Sequence, residues 1–148
     1  MKMTTSPEIK CIFCKIARGQ DDKTNILYEN EELVIFKDIK PATRHHYLII
    51  PKQHIKDPKN LNYSHLPLVE RLVEAATDFL KQQNAAVDEA RLGFHWPPFN
   101  SISHLHLHAI SCTSEMGFIA RGIFRPNTLW FVTAEWLVRR LKAMDTKS

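Results

Sequence analysis

Residues 104–110 read "HLHLHAI", three histidines at every second position with leucine between them. Strict period-two alternation predicts a β-strand rather than a helix. It turns Leu105, Leu107 and Ala109 into the core and places His104, His106 and His108 together on one open surface. The plain alternative is an amphipathic strand whose solvent side happens to be histidine. The chain has 8 histidines in 148 residues, so three in one alternating run is not what composition alone would supply.

The flanking segments set the fold class. "CIFCKIARG" reads as a short helical piece that stops at Gly19. "ILYEN-EELVIFKD" is a hairpin around Glu29-Asn30-Glu31, and "HHYLIIP" is a third strand closed by Pro51. "SHLPLVERLVEAATDFLKQQN" carries apolar residues at helical spacing, with Ser64 as the expected N-cap. "RLGFH" and the histidine run are two further strands joined by the Pro97-Pro98 loop. "TAEWLVRRLKAM" is a C-terminal helix capped by Thr133. The expectation is an α+β chain: a five-stranded antiparallel sheet, one long helix and a C-terminal helix. Residues 1–10 are expected to be a flexible start, and 11–148 a single domain with a helical extension.

Length suits one core. The formal net charge of +4 mildly favours anionic ligands and is too small to argue for a nucleic-acid surface. No apolar stretch is long enough for a membrane span, and "MKMTTSPEIK" lacks a secretory core. Three cysteines do not look like a disulfide framework. An intracellular, reducing location, cytoplasmic and nuclear, is the expectation.

Several residues carry candidate chemistry. A neutral imidazole is a competent nucleophile near pH 7, and the partner of one ring nitrogen decides which nitrogen attacks. Three strand histidines could equally share a catalytic zinc with water. Cys11 and Cys14 have the spacing of half a zinc site, of a redox pair, or of two small packed side chains. Cys112 reads as packing. His54, just past the third strand, reads alone as a surface residue. Asp38, at a strand-to-turn junction, either caps its own turn or accepts from a ribose diol.

The motif His-φ-His-φ-His-φ-φ (φ apolar) in "HLHLHAI" resembles the signature of the histidine triad nucleotide-binding proteins. "CIFCKIARG", "ENEELVIFKDIKP" and "HHYLIIPKQHI" resemble the same family in order, over about residues 11–110. "LWFVTAEWLVRRL" resembles the third type within it. The resemblance implies a nucleotide hydrolase acting on adenosine 5′-phosphoramidates and related AMP conjugates. His106 would attack the α-phosphorus and carry AMP as a phosphoramidate; His104, His108 and Ser101 would complete the catalytic set. Asp38, Ile39, His46, His95, Asn100 and Ser101 would join His106 and His108 in holding a purine nucleotide. It further implies structural zinc on Cys11, Cys14, His54 and His104, with no catalytic metal. A homodimer formed through the long helix and a sheet edge is implied as well.

One departure stands out. "FHWPPFNSISHLHLH" places His95 and two prolines where relatives carry an asparagine and glycines, so a stiffer, more apolar site mouth is expected. The Phe-His and Ser-x-Ser-His pieces also resemble aprataxin, which implies removal of AMP from nucleic-acid 5′ ends as the rival activity. A low-turnover nucleotide-binding scaffold is the rival from another class. Strong nucleic-acid binding is not expected from the dispersed charge.

Overall fold

The computed structural model describes residues 11–145; the expected flexible start at 1–10 lies outside them. Six strands form one antiparallel sheet in the order β1-β2-β3-β5-β4-β6. They are β1 (Ile26–Glu29), β2 (Leu33–Lys37), β3 (His45–Pro51), β4 (Arg91–His95), β5 (Leu107–Ser111) and β6 (Phe131–Thr133). Four helices accompany them: α1 (Ile12–Ala17), α2 (Leu66–Gln82), α3 (Phe118–Ile123) and α4 (Ala134–Met144). The expected five strands become six because Phe131–Thr133, too short to announce itself, pairs with the outer edge of β4. No helix among the described residues is long and apolar enough to cross a membrane.

Alternation on the central strands sorts the core into two layers. Leu33, Ile35, Tyr47, Ile49, Leu107 and Ala109 face α2 and α4. Val34, Phe36, Leu48 and Ile50 face the other way, onto Phe13, Ile16 and Ala17 of α1. A third cluster, Ile110, Met116, Phe124 and Phe131, extends that second face past the histidines. The sheet is therefore covered on both sides where β5 runs. The expectation of an open histidine face is corrected: His104, His106 and His108 are 0%, 7% and 5% exposed. Phe13 of α1 packs on His104 and His106, and Phe124 and Phe131 pack on His108.

Local signals set the ends of the elements. Cys11 caps α1, its sulfur accepting from the Cys14 N–H at 3.4 Å, and Gly19 exits with φ +71°. Asn30 Oδ1 accepts from Glu32 N–H and Leu33 N–H (2.8 and 2.9 Å) and closes the first hairpin. Thr133 caps α4 as expected, accepting from Trp136 N–H at 3.1 Å. Ser64 does not cap α2. A short 3₁₀ turn, Tyr63–His65, precedes that helix, and Asn62 caps the turn instead.

Gly93 decides whether β6 can dock. It pairs with His108 on one side and Thr133 on the other. A Cβ there would sit 2.5 Å from the Val132 carbonyl oxygen and 2.6 Å from the Phe131 ring. Gly93→Ala should therefore cost about 1–3 kcal/mol and lower the melting temperature measured by circular dichroism. An unchanged melt would show that β6 contributes little to the fold.

Candidate active site

His106 is fixed by a backbone atom. Its Nδ1 lies 2.7 Å from the His104 carbonyl oxygen. A carbonyl only accepts, so Nδ1 carries the proton and Nε2 keeps its lone pair. Burial lowers the pKa of this ring, with the His104 hydrogen bond acting against it. The imidazole is therefore neutral near pH 7, the state a nucleophile needs. Phe13 packs edge-on against it, ring centroids 5.1 Å apart.

A second chain of logic fixes His108. The Ala42 N–H donates to His46 Nδ1 at 2.9 Å, which leaves the His46 proton on Nε2. That N–H donates to His108 Nδ1 at 2.9 Å, with Asp38 Oδ2 also 3.3 Å away. His108 must then carry its own proton on Nε2. That atom is buried and has no partner. A buried donor without an acceptor costs about 1–3 kcal/mol and is a seat for an anionic oxygen. Burial lowers the His108 pKa, and the neighbouring His106 and His46 lower it further. Burial also depresses His46 to about 4, against the pull of Asp38.

His106 and His108 line a cavity of about 670 Å³ together with Ser101, Asp38 and Ile39. Phe13 and Ile16 of α1 supply an apolar wall, and Ile39, 93% exposed, stands at the mouth. Asp38 serves both readings of its position: Oδ1 accepts from Lys40 N–H at 2.8 Å and closes the turn, while Oδ2 faces His46. His46 lies behind His108 and outside the cavity wall. His95 and Asn100 also stand outside it. His95 donates through Nε2 to the Ile123 carbonyl at 3.0 Å and packs against His108, centroids 5.0 Å apart. Asn100 donates to the Ile102 carbonyl at 3.4 Å.

Two groups of side chains have ligand atoms close enough to surround a metal ion, and tautomers separate them. In the first, His104 Nε2 donates to the Pro51 carbonyl at 2.9 Å, leaving the Nδ1 lone pair free. That lone pair faces Cys11 Sγ at 3.4 Å and Cys14 Sγ at 3.5 Å; His54 Nδ1 lies 3.1 Å from Cys14 Sγ. Zinc–ligand bonds of 2.0–2.3 Å give tetrahedral edges of roughly 3.5 Å, so the Cys₂His₂ set fits zinc. The second group, Asp38, His46 and His108, does not fit. His46 already accepts at Nδ1, so metal on Nε2 would leave the ring with no proton or break the Ala42 bond. Zinc shared by the three triad histidines is disfavoured as well. His104 points its lone pair at the thiols, and His108 has its Nδ1 lone pair on His46 and its proton on Nε2.

Phe13, Phe124, the Ala42 N–H and the Pro51 carbonyl were not foreseen. Phe13 had a faint signal, sitting between the two cysteines on a half-turn. Phe124, which packs on His46, His95 and His108 at 5.1–5.2 Å, had none.

The depressed His46 pKa has a consequence for stability. In the unfolded chain His46 titrates near its ordinary 6.5, in the folded chain near 4. Its contribution is thus present above about pH 6.5 and lost as pH falls toward 4. The melting-temperature difference between wild type and His46→Gln should be largest at pH 7 and shrink on acidification to pH 4.5. Parallel pH curves would contradict the assigned buried neutral ring.

Residues 10–123 match the family described as scavenger mRNA decapping enzyme C-term binding. The chain is 44% identical over 139 residues to the adenosine 5′-monophosphoramidase HINT3 of Xenopus tropicalis, covering 93% of this chain and 91% of that one. The Mus musculus protein of the same name is 47% identical over 134 residues, 89% of this chain and 81% of its own. Aprataxin of Danio rerio is 37% identical over 96 residues, 64% of this chain but 29% of aprataxin. A solved HIT family hydrolase from Clostridium thermocellum matches with a TM-score of 0.65 at 32% identity, over 72% of this chain and 92% of that one. A zinc-bound histidine triad family protein from Mycobacterium smegmatis shares the fold, with a TM-score of 0.60 at 21% identity over 95% and 99% of the two chains. A tautomer-locked histidine pair on one cavity wall and relatives matched over nearly their whole length lead to one assignment: the chain belongs to the histidine triad family.

Proposed function

We propose that the protein is an adenosine 5′-monophosphoramidase working through a covalent AMP-histidine intermediate. The observation that carries this reading is the complementary pair of tautomers on one cavity wall: a lone pair on His106 Nε2 and an unpartnered N–H on His108 Nε2. His108 holds a phosphate oxygen while His106 Nε2 attacks the α-phosphorus. The P–N bond breaks as the His106–P bond forms, and the departing amine takes a proton from the Ser101 hydroxyl. Water then cleaves the His106–P bond: its oxygen joins phosphorus, one of its protons returns to Ser101 Oγ, and AMP leaves with the ring restored. Asp38 and Ile39 hold the ribose and flank the base. The match to two adenosine 5′-monophosphoramidases, over 91% and 81% of their lengths, supports the same reading.

Zinc on Cys11, Cys14, His54 and His104 is a closed structural site in this reading. It braces the His104 segment whose carbonyl orients His106 and takes no part in the chemistry. A homodimer in solution belongs to the proposal. It would use surfaces other than the outer edge of β4 and the α4-facing side of α2, since β6 and α4 of the same chain cover these.

His106→Asn should lower turnover of an AMP–lysine amide by about three powers of ten or more, with AMP binding by calorimetry retained. Intact-mass measurement of quenched wild type should show one AMP adduct that the variant lacks. Turnover within about tenfold of wild type would remove the covalent mechanism.

Metal analysis should find about one zinc per chain, and Cys14→Ser should lose zinc and thermal stability together. Chelation should lower the melting temperature more than the initial rate of still-folded protein. Metal-free protein of undiminished stability would reduce the cysteine pair to packing.

Salt separates this activity from processing of nucleic-acid ends. One phosphate in a local site releases few counterions, so the small-amide rate should change by less than about twofold between low and physiological salt. Tight, steeply salt-dependent binding of adenylated nicked DNA with poor amide turnover would favour the aprataxin-like activity instead.

A further inference from the structure

One register row crosses the sheet beneath the cavity. His108 on β5 stands opposite Leu48 on β3, Leu48 opposite Phe36 on β2, and Phe36 opposite Ile26 on β1. Three strand spacings make this row about 14 Å long, the scale of one mononucleotide from its phosphate to the far edge of its base. His106 and His108 occupy one end. At the other, the segment that enters β1 puts Asp21, Lys23, Thr24 and Asn25 into the cavity lining. Between the two ends the lining is apolar: Phe13 and Ile16 of α1, with Phe36 and Leu48 of the sheet. A flat base whose phosphate sits at His108 lies along that apolar stretch and turns an edge toward Asp21. The Asp21 carboxylate is held in place, because the Thr24 hydroxyl donates to its Oδ2. Among the described residues this is the only hydrogen bond the carboxylate makes, so Oδ1 is left to accept from a ligand.

We propose that Asp21 is the residue that reads the base: its carboxylate accepts a hydrogen bond from the 6-amino group of adenine and rejects purines with a 6-oxo group. The proposal rests on the phosphoramidase reading and adds a specificity-determining residue to it. An amine brings a proton to the carboxylate, whereas a 6-oxo oxygen sets acceptor against acceptor with none between them. Asp21 and Thr24 are both half-buried, and a carboxylate beside an apolar wall gains from a donor that arrives with the ligand. Thr24 acts through Asp21 and is a positioning residue. Lys23 and Asn25, from the same segment, are exposed to water.

The test compares Nε-AMP-lysine with Nε-IMP-lysine, the inosine conjugate, which differs only at position 6 and N1 of the base. Wild type should favour the AMP conjugate by at least about tenfold in kcat/KM, with the difference in KM at similar kcat. Asp21→Ala should bring the two conjugates to within about twofold of each other, and Thr24→Val should narrow the preference by less. Asp21→Asn separates base reading from damage to the fold. Its amide can turn an N–H toward the 6-oxo oxygen, so the KM for the IMP conjugate should fall severalfold below the wild-type value. A disrupted segment would weaken both conjugates alike. AMP and IMP titrated by calorimetry should show the same preference and the same response to the three variants. Equal affinity of wild type for AMP and IMP, or a preference that survives in both Asp21 variants, would overturn the proposal and leave the phosphoramidase intact. Absence of turnover on both conjugates with the AMP preference kept in calorimetry would overturn the phosphoramidase reading and support the role of Asp21.

Discussion

The 2.7 Å hydrogen bond from His106 Nδ1 to the His104 carbonyl is the contact on which the site depends. It joins residues two apart in the chain, so local backbone conformation and the His106 rotamer set its length. The same residue that offers the carbonyl has its ring tied down elsewhere, Nε2 on the Pro51 carbonyl and Nδ1 toward two thiols. Leu105, between them, has its N–H on the Ile55 carbonyl at 2.6 Å and its side chain in the core. The stretch that orients His106 is thus held from both flanks and from below before β5 begins at Leu107. A ring attached this way needs no carboxylate partner to set its tautomer.

Tautomers propagate through the remaining histidines by the same rule: a backbone group settles one nitrogen and the other follows. Ala42 N–H settles His46, and His46 settles His108. The Ile123 carbonyl settles His95. Five histidines thereby acquire fixed hydrogen-bonding roles with no net charge, and burial lowers the pKa of all five. The roles differ because the partners differ, which is why the same residue type can supply a lone pair, a donor and a thiol-facing nitrogen within one short run.

The alternation of "HLHLHAI" was enough to place Leu105, Leu107 and Ala109 in the core and to group the histidines on one side. Asp38, Ile39 and Ser101 then follow from the resemblance, and all three line the cavity with His106 and His108. The cover over the histidine face was not legible, because it comes from Phe13 and from Phe124, far apart in sequence, and period-two reasoning sees only local order. Strand β6 has three residues, below the length at which alternation carries a signal. Ser64 does not cap α2 because it lies inside the 3₁₀ turn Tyr63–His65, which Asn62 caps, and the α-helix begins only at Leu66. His95 ends β4 and Asn100 follows the Pro97-Pro98 loop, whose path no propensity sets; neither lines the cavity, and His95 packs on His108 instead.

A neutral histidine cluster suits a buried phosphate better than lysine or arginine would. A permanent cation in this pocket would have to be desolvated in the empty protein, at a cost of several kcal/mol. The imidazoles avoid that cost because burial keeps them uncharged until an anion arrives. An incoming phosphate raises the proton affinity of the rings it touches, so positive charge develops only where and when the negative charge is present. The permanent cations that line the cavity, Lys23 and Lys37, are exposed to water. The division of labour is one of solvation: fixed charge where it can remain hydrated, and titratable neutral donors where it cannot.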